Sequence, residues 1–145
     1  MNWARLNWAS CAVLSAFFGA LVAIFGKIGV QGVDSNLAVA FRTVIIVFFA
    51  WGIVAVQGNA ADLFSISRHS LLFLFLSAIA TGLSWLFYYR ALQLGEASRV
   101  APIDKLSVAL AVGMAFLFLG EKPHLGNVLG ATLIVAGVLV TVFVR

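Results

Sequence analysis

TGLSWLFYYRALQLGEASRVAPIDKLSVALAVGMAFLFLG, from Thr81 to Gly120, is two long apolar runs joined by a short polar link. Counted from about 71 to 94, so beginning before the quoted stretch, and from about 102 to 119, the two runs are each close to the roughly 20 residues that a helix needs to cross a bilayer. The same stretch carries Arg90, Glu96, Arg99, Asp104 and Lys105 near or inside what would be hydrocarbon. Charges there are expensive unless they snorkel to the boundary or meet a partner. The residues that decide the fold therefore also pose the question of function.

Working outward, the whole chain has the same character. Of its 145 residues 63% are hydrophobic and 10% charged, with a mean hydropathy of +1.12; soluble domains are about half apolar and a quarter charged. The predicted fold class is an all-α membrane protein, a single transmembrane domain over 1–145 with helices at about 8–30, 37–56, 71–94, 102–119 and 125–144. At about 20 residues per span there is room for five and for no soluble domain besides. A transmembrane β-barrel would show short segments of strict alternation, and the apolar runs do not alternate. Trp3 and Trp8 read as interfacial aromatics opening the first helix, and Gly29, Gly32 and Asp34 close it. The longest loop is QGNAADLFSISRHS. Pro102 reads as a first-turn residue of helix four, where its missing N–H costs nothing, and GEKPH as a tight turn. The first apolar run is of full spanning length without a small-residue cleavage site, so it is expected to stay in the mature protein.

The net charge of +4 sits at helix ends, where it orients the chain and meets anionic lipid headgroups. No basic cluster with an aromatic platform is present, so nucleic acid is not an expected partner. Five spans put the termini on opposite sides. Arg5, Arg68 and Lys122 fall on the side of the N-terminus; Lys27, Arg90, Arg99 and Arg145 fall on the other, joined by Arg42 and Lys105 deeper in helices two and four. So weak a bias fits one orientation with the N-terminus outside. It fits equally an insertion both ways, in which two opposed copies reproduce the inverted repeat of longer transporters.

Helix faces can be read in turn. Ser77, Thr81, Ser84 and Tyr88 recur at spacings of four, three and four, with Trp85 beside them. Ala16, Ala20, Ala23 and Lys27 repeat that spacing in the first helix. Stripes of small and weakly polar residues suit close helix packing, with hydroxyls bonded back to their own helix, or the wall of a cavity. Thr81, Ser84, Trp85 and Tyr88 are thus candidates for solute contact. Gly126, Gly130 and Gly137 share one side of the last helix and include a GxxxG, a packing seam within the chain or between two copies.

Among the charges, Lys27 is near enough to a helix end to snorkel, whereas Arg42 is about a turn and a half inside helix two. Asp104 and Lys105 fall near the start of helix four, where the helix dipole favours the carboxylate. An ion pair of Asp104 with Arg42 or Arg90 would lower the cost of both partners. Enzyme chemistry is disfavoured: His69 and His124 lie in loops, there is no HExxH or Gly-rich phosphate loop, and no nucleophile is paired with a base. Cys11 is the single cysteine, which removes disulfides and cysteine-based metal sites within one chain. No metal and no cofactor is expected.

FGKIGVQGVDSN, FRT in helix two, GLSWLFYYRALQLGEASRVAPIDKLSV and FLGEKPHLGNVLGATLIVAGVL together resemble the EamA family of the drug/metabolite transporter superfamily in its short, five-helix form. The likeness covers nearly the whole chain. It implies a single EamA-like transmembrane domain and a ten-helix bundle of two chains around a central cavity. It places motif positions at Lys27, Asp34, Asn36, Arg42, Trp85, Tyr88, Tyr89, Arg90, Pro102, Asp104, Lys105, Ser107, Gly120 and Glu121. Small multidrug exporters of the superfamily use a carboxylate deep in the first helix, and this first helix has none, so proton exchange for cationic drugs of that kind is disfavoured.

These readings converge on a multi-pass transporter of small metabolites in a bacterial inner membrane, an exporter working by alternating access. Its expected partners are a small-molecule solute, membrane lipid and a second copy, parallel or antiparallel. Lys27, Arg42, Thr81, Ser84, Trp85, Tyr88 and Tyr89 are the cavity candidates. Arg90, Asp104, Lys105 and Ser107 are the gate or ion-pair candidates. The alternative is a non-transporting partner subunit, or a flippase of a lipid-linked substrate.

Overall fold

In a computed structural model, which describes residues 7–144, the chain is helical throughout and no strand occurs among the described residues. Trp3, Arg5 and Arg145 lie outside those residues. The elements are α1 (Trp8–Gly29), α2 (Ser35–Gln57), a short 3-10 helix (Ala60–Ser65), α3 (Arg68–Leu94), α4 (Ala97–Asp104), α5 (Leu106–Phe118) and α6 (Leu125–Phe143). Five spans are long and apolar enough to cross a membrane, with α4 and α5 together making the fourth. Between none and 11% of the positions in each span are buried within the chain. Phe, Leu, Ile and Val side chains so exposed would be intolerable in water, whereas a bilayer accepts them as a lipid-facing surface.

Local chemistry accounts for the helix ends. Asp34 caps α2, its carboxylate accepting from the backbone N–H of Asn36 at 2.9 Å and of Leu37 at 3.0 Å. These are among the donors that every helix start leaves unmet. Gly58 ends α2 at φ +73°, the left-handed cap that glycine adopts without strain, and its N–H reaches the Ala55 carbonyl at 3.2 Å. His124 caps α6 by accepting from the Gly126 N–H at 3.2 Å.

The fourth span differs from its expected form. Its helix begins at Ala97 instead of 102, and Pro102 is inside α4. The Glu96 carbonyl accepts from both Arg99 and Val100, so the link starts to coil as soon as α3 ends. Pro102 then has no N–H for the Ser98 carbonyl, and its ring crowds that turn. The helix gives way three residues later at Lys105 (φ −70°, ψ −6°), where Lys105 N–H turns back to the Pro102 carbonyl and Val108 N–H to that of Lys105, each at 3.0 Å. The fourth span is therefore two helices and a break.

The chain divides into two compact units, one from Gly26 to Leu94 and the other comprising the residues up to Phe25 with those from Gly95 onward. In the second, α4 and α5 pack on α6 and on each other. In the first, α2 and α3 run antiparallel, and the 3-10 helix folds against α2. This unit holds Val30, Val39, Tyr89 and Leu92, all buried, with Leu92 fully so. Ser35, at the start of α2, is buried with them.

Candidate solute-recognition site

The membrane-embedded cation Arg42 is the eighth residue of α2, two turns inside the helix. Its antiparallel partner α3 presents Trp85 and Tyr89, one turn apart and so on one face. The guanidinium carbon lies 4.3 Å from the centroid of the Trp85 ring and 4.9 Å from that of Tyr89. Both distances fall within the range over which an aromatic face attracts a cation. The rings do not accept all its hydrogen bonds, however: Nη1 is buried and has no hydrogen-bond partner. An unmet buried donor costs about 1–3 kcal/mol, and more on a charged group.

Tyr89 is positioned from its other side by α1. A β-carbon at Gly26 would come within 3.1 Å of the Tyr89 hydroxyl oxygen and 3.3 Å of a Leu92 methyl, so the bare glycine backbone is what lets the ring seat there. Tyr88 packs edge-on to Tyr89, ring centroids 6.2 Å apart. Trp85 and Tyr88 are half-buried and Tyr89 buried.

Just beyond this aromatic shelf is a polar lock at the end of α3. Lys27, from the last turn of α1, donates Nζ to the Leu92 carbonyl at 2.7 Å. That carbonyl is in the last turn of α3, where the helix leaves acceptors open and the dipole favours a cation. Gln93 donates to the Val33 carbonyl in the α1–α2 turn at 2.9 Å and accepts from Arg90 Nη1 at 2.6 Å. Lys27 is thus a cap on α3, and Arg90 acts through Gln93.

The remaining candidates are more dispersed. The Thr81 hydroxyl donates to the Ser77 carbonyl of its own helix at 2.8 Å, and Ser84 is exposed. Asp104 meets Lys105 at 3.2 Å in a partly exposed pair, and Glu96 meets Arg99 at 3.3 Å. In exposed settings such pairs add little to stability. Within its own unit Asp104 thus meets Lys105, and Arg90 meets Gln93. Ser107 is exposed in the first turn of α5. Along α6, Gly126 belongs to the His124 cap, whereas a β-carbon at Gly130 or Gly137 would meet nothing within 4 Å. Cys11 is free and exposed.

Gly26, Gln93 and His124 carry roles that no motif announced, although a lone glutamine near the end of an apolar span is itself a signal. A cavity of about 500 Å³ lies at the far end of α2, lined by Trp51, Gln57, Asn59, Asp62, Leu63 and Ile66 among others. It forms where the 3-10 helix folds back on α2, and nothing in the loop's composition foretold that fold. Among the described residues no group of three or more His, Cys, Asp or Glu side chains could hold a metal ion.

The geometry can now be set beside known proteins. The model of the EamA-like transporter family matches residues 6–143. A protein of Sinorhizobium sp named "Uncharacterized transporter in cobO 3'region" is 48% identical over 133 residues, which are 92% of this chain and 94% of that protein. "Uncharacterized protein MJ1333.1" of Methanocaldococcus jannaschii is 28% identical over 100 residues, 63% of this chain and 73% of that protein. No solved structure matches the chain. With the family model covering nearly every residue and a transporter-named relative at 48% identity, the chain belongs to the EamA-like transporter family.

Proposed function

We propose that two copies of this chain form a ten-helix exporter of small metabolites that works by alternating access in a bacterial inner membrane. Arg42 carries the reading: a cation two turns inside a span, held against Trp85 and Tyr89 with a buried N–H unmet, is costly unless a solute uses it. The low burial of all five spans supports the dimer, because a lone protomer leaves most of each helix uncovered. The 48% identical bacterial relative supports the cell membrane of a bacterium as its place. Trp85, Tyr88 and Tyr89 line the solute side of α3. Lys27, Arg90 and Gln93 keep the α1–α2 turn and the end of α3 together as that side opens and closes.

Counterflow in proteoliposomes is the test. Purified protein should exchange a labelled metabolite across the membrane, and everted vesicles should accumulate it if the direction is export. A monomeric protein that moves no solute under any gradient would sink the reading.

A further inference from the structure

We infer that Arg42 recognises a carboxylate on the transported solute, and that its seat between Trp85 and Tyr89 is the resting place of the unloaded site. The inference rests on the transporter reading above and names its substrate class. Contact with two ring faces is a weaker partnership for a guanidinium than two parallel N–H bonds to a carboxylate. The unmet Nη1 is the mark of that shortfall. Arg42 as a whole is half-buried, so it can swing off the rings toward a carboxylate that enters beside them.

Charge balance narrows the class. Lys27 and Arg90 have committed donors, to the Leu92 carbonyl and to Gln93, although these neutral acceptors leave their charges in place. Arg42 keeps a buried donor unmet, and a guanidinium matches the two oxygens of one carboxylate with two parallel N–H groups. From Gly26 to Leu94 the acids are Asp34 and Asp62. Asp34 is committed to capping α2, and Asp62 lies in the 3-10 helix after α2. From Arg42 to Gln57 is about 22 Å of helix at 1.5 Å per residue, so Asp62 is placed far along α2 from the guanidinium. Neither acid is placed to receive the ammonium of a zwitterion. Trp85 and Tyr89 suit an apolar or aromatic body. The ligand that this unit's own residues fit is a monocarboxylate with an apolar body, in preference to an amino acid or a phosphate ester.

The test keeps Trp85 as the sole tryptophan, with Trp3→Phe, Trp8→Phe and Trp51→Phe, and follows its emission in purified protein. Benzoate is titrated against benzamide, phenylalanine, inorganic phosphate and phosphatidylglycerol. Benzoate should give a saturable change, with the others at least tenfold weaker. Arg42→Gln, and Arg42→Lys, which keeps the charge but not the paired donors, should each raise the half-saturating benzoate concentration tenfold or more. Should a variant fail to fold, the ligand series alone decides. Equal responses to benzoate and benzamide, no response to benzoate, a stronger response to phosphate or phosphatidylglycerol, or full benzoate affinity in Arg42→Lys would each overturn the assignment. Benzoate flux unchanged in Arg42→Gln would overturn the site and leave the transporter standing. Benzoate binding without any flux would do the reverse.

Discussion

Arg42 and Gly26 show how single positions set this site. Arg42 supplies the charge, Trp85 and Tyr89 hold it, and Gly26 makes room for Tyr89. In Gly26→Ala, the added methyl at 3.1 Å from the Tyr89 hydroxyl and 3.3 Å from Leu92 must push a buried ring. Overpacking of this kind costs about 1–3 kcal/mol, so the variant should unfold at lower temperature in detergent and transport less; an unchanged melting curve would refute the contact. Arg42→Ala and Asp104→Ala should each impair solute flux more than Lys122→Ala, because Lys122 lies outside the spans. Equal flux from all three in proteoliposomes would remove the charge from the mechanism. Of these features, Arg42 and Trp85 were legible from residue type and depth alone. Gly26 was not, since a glycine in an apolar helix says nothing of which ring will lie against it.

At the scale of elements, the lock between the α1–α2 turn and the end of α3 and the broken fourth span matter most. Lys27→Met keeps the apolar stem and removes the charged donor to Leu92. Hydrogen bonds made by charged groups contribute about 1.5–3 kcal/mol, which sets the expected loss in thermal or denaturant unfolding. Gln93→Leu, which loses the bond to the Val33 carbonyl, should cost about 1 kcal/mol. The Lys27 stripe invited a cavity reading, and its geometry is that of a helix cap. In the fourth span, Pro102→Ala restores the N–H that Ser98 can use. Amide exchange at residues 103–108 should slow in that variant if the proline maintains the break at Lys105, and unchanged exchange would place the cause elsewhere. The proline was visible in the sequence, but its effect was misplaced: counting from an apolar start put it in the first turn, whereas the helix begins five residues earlier, at Ala97 in the polar link.

For the whole molecule, the question is what covers the spans. Gly130 and Gly137 meet nothing that a β-carbon would touch, so α6 offers an uncovered small-residue face. If a second copy covers it, Gly130→Leu should shift the protein from dimer to monomer in detergent by light scattering, with transport lost in parallel. A variant that stays dimeric would move the contact to another helix.

Length, hydropathy and turn residues determined by themselves that this is a five-span membrane protein, and the span ends came within a few residues everywhere except at the start of the fourth. The reason is physical: hydrocarbon demands about 20 apolar residues in a self-satisfied helix, and that demand is written one residue after another. Residue type and depth also singled out Arg42 and Trp85 as candidates, whereas Tyr89 entered only through the family resemblance. Only the tertiary structure decided that Arg42 faces Trp85 and Tyr89, that Lys27 caps α3, and that Gln93 bridges to Val33. Those partners are separated by 43 to 65 positions in the chain. Which of them meet depends on how helices rotate and slide against one another, and in an apolar bundle that is settled by a few glycines and polar contacts rather than by hydropathy.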